Sequence, residues 1–202
     1  MKKLTALLLA LMLALSLTAA FADETPETYA LTEETLTLEQ GPIWYYLYRD
    51  IAENGIFELH ATPAWGDNWQ FSENPDADQV YHSICEWDGI QAMPGTWIGE
   101  HIDIVVKFVA PKAGTVVIAP MEFVVKDDGS EWPAYLVQIL TPAATEGEYD
   151  ILFPAEGEWA ETPVTTEAIE VEVQEGSEIL FVVRSGDDGG AAVSVMPVIS
   201  YK

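Results

Sequence analysis

The sequence predicts an all-β fold, a two-sheet antiparallel β-sandwich or jelly roll of about ten strands, and three observations carry that expectation. Short apolar or alternating runs recur along the chain, each closed by Gly, Pro, Asn or Asp. No amphipathic stretch long enough for a helix of three turns interrupts them. No period of 20 to 50 residues recurs either, which argues against a propeller or a solenoid. A closed barrel is the alternative architecture.

The elements follow in chain order. Residues 1–22 carry Lys2 and Lys3, the apolar run Leu4 to Leu17 and the small-residue site Ala20-Phe21-Ala22. That is the pattern of a cleaved secretory signal peptide, shorter than the roughly 20 apolar residues of a membrane span. The signal-peptide helix belongs to export and is excluded from the fold. Residues 23–40 are acidic, Thr-rich and weakly patterned, and read as a linker or edge segment. The β-sandwich domain is expected over 41–202.

Within it, Ile43 to Tyr48 is aromatic and branched, which favours a strand. Trp44, Tyr46 and Tyr48 share one face of that strand and read as core. His101 to Val109 alternates most clearly: Ile102, Ile104, Val106 and Phe108 lie on one face, Asp103 and Lys107 on the other. The turn Ala110 to Gly114 leads into Thr115 to Ala119. Further strands are expected at Glu122 to Lys126, Ala134 to Leu140, Glu148 to Phe153, Glu167 to Val173, Glu178 to Arg184 and Ala192 to Tyr201. In the strand starting at Glu167, Ile169, Val171 and Val173 alternate with Glu170 and Glu172, the mark of a half-buried strand. Ile179 to Val183 is apolar throughout and should be covered on both faces. Pro197 inside the final run predicts an edge or a bulge, because proline cannot donate to a ladder.

Composition narrows the partners. The formal charge is −26, from 34 acidic and 8 basic residues, and loss of the leader makes it two units more negative. Such a surface repels phosphate backbones and anionic lipid heads, so neither nucleic acid nor, after leader cleavage, a membrane is expected as a partner. Solubility and self-repulsion outside the cell account for the acidity. Cys85 is the single cysteine, so the fold must stand on its core without disulfides; its apolar surroundings suggest a packed thiol. With the leader and no later anchor signal, the expected location is secreted and extracellular.

Catalytic signatures are missing from the sequence. There is no Gly-x-Ser-x-Gly elbow, no His-Glu-x-x-His pair and no phosphate-binding Gly-x-x-x-x-Gly-Lys. His60, His82 and His101 stand alone. The run Glu100 to Val105 has His101 and Val105 two positions from Asp103, so it lacks the same-face carboxylate pair that glycoside cleavage needs. No catalytic residue is assigned.

The aromatic residues are more informative. Five of the seven tryptophans fall between residues 44 and 97, and the segment Pro63 to Gln70 reads as a loop carrying two of them. There Trp65 and Trp69 flank Asp67 and Asn68, which supplies flat rings for the apolar faces of sugars and polar groups for their hydroxyls. Trp132, in Gly129-Ser130-Glu131-Trp132-Pro133, and Trp159, in Gly157-Glu158-Trp159, are further loop tryptophans that could line a cleft. The candidate ligand-binding residues are therefore Trp65, Asp67, Asn68, Trp69, Trp132 and Trp159.

No cofactor is required. Residues 127–183 hold 14 acids and no Lys or Arg, which reads as a solvated face. Asp127-Asp128-Gly129 and Asp187-Asp188-Gly189-Gly190 could present oxygen ligands to a structural Ca²⁺, although neither has calcium-loop spacing. No metal ligand is assigned.

Trp44-Tyr45-Tyr46, Val106 to Val116, Asp128-Gly129, Gly176 to Val183 and Pro197 to Tyr201 together resemble the β-sandwich, carbohydrate-binding-module-like domains of secreted bacterial carbohydrate-active proteins. The resemblance covers strand and turn signatures over residues 41–202. It implies a secreted non-catalytic glycan-binding domain using loop tryptophans, with a carbohydrate polymer or glycan as its partner. The alternatives are an extracellular structural or protein-interaction domain that contacts other surface proteins, and a small glycan-cleaving enzyme.

Overall fold

A computed structural model describes residues 26–37, 39–50, 55–62, 68–70, 83–86, 89–94, 102–126, 135–145, 147–155, 157, 159–185 and 192–202. The segment 1–22, expected to be a signal peptide, lies outside the described residues. In chain order the strands are β1 (Thr28–Ala30), β2 (Trp44–Asp50), β3 (Gly55–Glu58), β4 (His60–Thr62), β5 (Asn68–Gln70), β6 (Ser83–Glu86) and β7 (Ile90–Met93). They continue as β8 (Ile102–Val109), β9 (Gly114–Ile118), β10 (Glu122–Phe123), β11 (Val125–Lys126), β12 (Tyr135–Pro142) and β13 (Tyr149–Phe153). The remainder are β14 (Ala160–Glu161), β15 (Val164–Thr165), β16 (Ile169–Val173), β17 (Glu178–Ser185), β18 (Ala192–Ser194) and β19 (Val198–Tyr201). The fold is all-β, as the alternating runs predict, and every pairing among these strands is antiparallel.

A seven-stranded sheet in the order β13-β12-β17-β8-β2-β3, with β14 also on β12, forms the largest layer. Facing it are a six-stranded sheet, β11-β18-β7-β6-β5-β4, and a four-stranded sheet, β1-β19-β9-β16; β10 and β15 make a separate pair. The main core lies between these layers. Tyr46, Ile104, Val106, Phe108, Tyr135, Val137, Phe181 and Val183 of the large sheet meet Ile84, Ile90, Val116, Ile118, Val193 and Ile199 of the smaller ones. Most of these side chains exclude water completely, and each contributes about 1.5–3 kcal/mol by burial.

Several strands differ from the sequence reading in instructive ways. β1, in the segment read as a linker or edge, is the edge strand of the four-stranded sheet, and Leu31 and Leu36 after it are buried in the main core. The expected strand Glu122 to Lys126 is two, because β10 pairs with β15 whereas β11 pairs with β18. The run Ala192 to Tyr201 also divides, at Met196-Pro197, with β18 in the six-stranded sheet and β19 in the four-stranded one. Pro197 thus marks a crossing between sheets.

Trp69 is the clearest correction. Pro63 to Gln70 reads as a loop, yet Asn68–Gln70 is strand β5, with Trp69 opposite Ala61 of β4 and Ile84 of β6. Strand alternation turns its indole inward, where it is 3% exposed and stacks on Tyr46 with ring centroids 4.9 Å apart. The indole N–H donates to the Thr37 carbonyl at 2.8 Å, which satisfies the one polar atom the ring carries inside.

Candidate functional site: the outer face of the large sheet

Alternation gives the seven-stranded sheet a second face, and the residues there differ in kind from those in the core. Strand register sets them in rows. Arg49 lies opposite Asp103; Leu47 opposite Val105, which faces Val182, which in turn faces Gln138; Tyr45 lies opposite Lys107, then come Leu180 and Leu140. Leu47, Val105, Leu140, Leu180 and Val182 form a compact apolar strip. Tyr45, Ile56, Tyr149 and Trp159 pack on that strip and remain partly exposed.

One end of the strip is a buried ion cluster. Asp103 is completely excluded from water although it lies on the face away from the core. Two guanidiniums explain its tolerance: Arg49 Nε donates to Oδ2 at 2.8 Å, while Arg184 donates through Nε to Oδ1 at 2.8 Å and through Nη2 to Oδ2 at 2.9 Å. Arg49 Nη2 approaches Oδ2 to 2.6 Å as well. Trp159 covers this cluster, with the Arg184 guanidinium 4.2 Å and that of Arg49 5.8 Å from its ring. Such stacking suits a planar guanidinium.

The other end is a cleft of about 270 Å³ lined by Leu47, Ile56, Phe57, Glu58, Lys107, Tyr149, Glu178 and Leu180. Lys107 Nζ donates to Glu178 Oε1 at 2.7 Å and sits 4.7 Å from the Tyr45 ring centroid. The Tyr45 ring is itself positioned by Gly41, whose φ is +69°; a Cβ there would lie 2.6 Å from the phenol oxygen. Glycine is the residue that permits both the turn and the close approach. Gln40 holds the same turn against β2, accepting from Tyr46 N and donating to Tyr46 O, both at 2.8 Å.

Among the described residues, the structure brings Trp159 of the expected ligand-binding set to this face. Trp69 is in the core and presents no ring face to solvent. Asn68 lies in β5, and Trp65, Asp67 and Trp132 lie outside the described residues. The expected Ca²⁺ segments 127–129 and 187–190 also lie outside them. Among the described residues, no group of three or more His, Cys, Asp or Glu side chains is placed to hold a metal ion.

Sequence reasoning misses Arg49, Lys107 and Arg184 as a set. The signal is present: they are three of the six basic residues after position 22, and each interrupts an apolar strand at an outward position. Parity gives Asp103 the correct face, but its burial depends on partners 54 and 81 residues away. No protein-family model matches the chain, and no curated protein matches it in sequence.

Proposed function

We propose that the protein is a secreted, non-catalytic glycan-binding domain whose binding surface is the outer face of the seven-stranded sheet. The observation that carries this reading is the set of partly exposed rings, Tyr45, Tyr149 and Trp159, packed on one apolar strip beside a charged cleft. Sugars offer apolar C–H faces that stack on such rings and hydroxyls that pair with carboxylate and ammonium groups. The Lys107–Glu178 pair supplies both a donor and an acceptor in a fixed arrangement. The leader at 1–22 and the single cysteine support export of a domain that relies on its core.

Glu178 is held by Lys107, and Asp103 is enclosed by two arginines. Asp103 is thereby committed to the arginines, whereas Glu178 keeps exposed oxygen surface for a sugar hydroxyl. Glu58 and Glu178 line one cleft, so reducing-end release from the same polysaccharides is the measurement that separates binding from cleavage.

The test is retention on immobilised polysaccharides, neutral and charged, with Trp159→Ala and Tyr149→Ala compared with the parent. We expect retention on at least one polymer and a loss of tenfold or more in each variant. No retention on any polymer, or retention unchanged by both substitutions, refutes the reading.

A further inference from the structure

We infer that the Arg49–Asp103–Arg184 cluster under Trp159 is an anion subsite, and that the glycan it takes bears a carboxylate, as a uronate residue does. The inference rests on the proposed glycan-binding role of this face and names the class of sugar.

Charge is the first argument. Two guanidiniums converge on one carboxylate, so the cluster holds a net positive charge within a chain of formal charge −26. Asp103 is fully buried, while the Arg49 and Arg184 side chains are 17% and 28% exposed, so both arginines keep some contact with solvent. A buried ion cluster is a poor stabiliser compared with apolar residues of the same volume, so its presence on a sheet face calls for another role.

Geometry is the second. Arg184 meets Asp103 side-on through Nε and Nη2, and Arg49 through Nε and Nη2 as well. The Nη1 groups of both make no hydrogen bond to Asp103. Asp103 therefore acts as a template that fixes two planar forks and leaves their Nη1 donors unspent on it, and guanidinium donors of this kind recognise planar carboxylates. Trp159 stacks on Arg184 and restricts its plane.

Placement is the third. Asp103 and Lys107 are four residues apart on β8, about 13 Å at the rise of an extended strand. Between them lie Val105 and its neighbours Leu47 and Val182, overlain by the aromatic rings. A sugar chain lying along the strands would set one residue over the cleft and an acidic one beside Trp159 at the arginine end. Glu58 and Glu178 belong to the cleft end. Glu161 is exposed and lies beyond Leu136, about 10 Å from Arg184 by strand spacing. At about 0.15 M salt the Debye length is about 8 Å, so an acid at the distance of Glu161 is partly screened while contact pairing persists.

The experiment uses the protein with polygalacturonate, the same polymer methyl-esterified, dextran and dextran sulfate, at about 0.15 M salt. Expected is retention on polygalacturonate at least tenfold above its ester, and a tenfold loss for Arg184→Gln that Arg184→Lys recovers only in part. The parent comparison of acid with ester needs no variant, so it decides even where a substitution disturbs folding. Equal retention on acid and ester, or retention on dextran alone, overturns the carboxylate assignment while leaving glycan binding standing. A preference for dextran sulfate over polygalacturonate overturns it too, as does an Arg184→Gln variant that is folded and retained like the parent. Failure on these four polymers, with the wider polysaccharide panel also negative, removes the glycan reading itself.

Discussion

Replacing Asp103 with asparagine tests the ion cluster as a physical object. The substitution keeps the shape and one carbonyl acceptor but removes the charge that both guanidiniums share. Four short contacts, between 2.6 and 2.9 Å, are weakened together. Counting each as an independent charge-assisted bond of about 1.5–3 kcal/mol gives a sum near the whole stability of a domain, which shows that the contacts act as a unit. The better guide is the cost of leaving a buried charge without its partner, about 3–5 kcal/mol. The arginines retain 17% and 28% exposure, so they recover some hydration and the lower end, about 3 kcal/mol, is expected. For a domain of this size each kcal/mol moves the melting temperature by about 2–4 °C, so the fall should be roughly 6–12 °C. The assay is urea and thermal unfolding followed by circular dichroism. Arg49→Met, Asp103→Leu and Arg184→Met combined should restore stability to within about 1 kcal/mol of the parent, because apolar residues replace the charges together. A loss below about 1 kcal/mol for Asp103→Asn, or a combined variant as unstable as the single one, refutes the view of a buried cluster.

Two further outcomes follow from other parts of the fold. Trp69→Ala removes a buried ring stacked on Tyr46 and should cost about 3–5 kcal/mol in urea unfolding; a loss under about 1 kcal/mol would return Trp69 to the surface. Burial pushes the Tyr46 phenol up to about 12, whereas an unfolded tyrosine ionises near 10. The folded state therefore keeps its proton where the unfolded chain loses it, and stability present below about pH 10 is lost as pH rises toward 12. Unfolding midpoints taken across that range should fall more steeply for the parent than for Tyr46→Phe; identical slopes would contradict the assignment.

Strand alternation makes the large sheet legible in the amino-acid sequence. The runs containing Ile102 to Phe108 and Ile179 to Val183 have one face or both apolar, and the structure buries them accordingly. Residues 55–93 are harder, since β3 to β7 are three or four residues long and so short a run cannot show a period. That is why Trp69 reads as a loop residue. The candidate face is half legible: parity places Asp103 and Lys107 on it. The convergence of Arg49 and Arg184 on Asp103 arises from strand order β17-β8-β2, and nothing local encodes which strands become neighbours.

The pairing of β1 with β19 sets Thr28 beside Ser200. Their side-chain oxygens lie 2.9 Å apart although 172 residues separate them in the chain. Until residues 198–201 arrive, β9 lacks one of its two neighbours and β1 has none. A chain emerging from a ribosome or a pore thus holds open ladder edges through nearly all of its length. Closing this sheet depends on contacts between distant parts of the chain, and such contacts slow folding. The net charge of −26 opposes pairing between such edges on neighbouring chains.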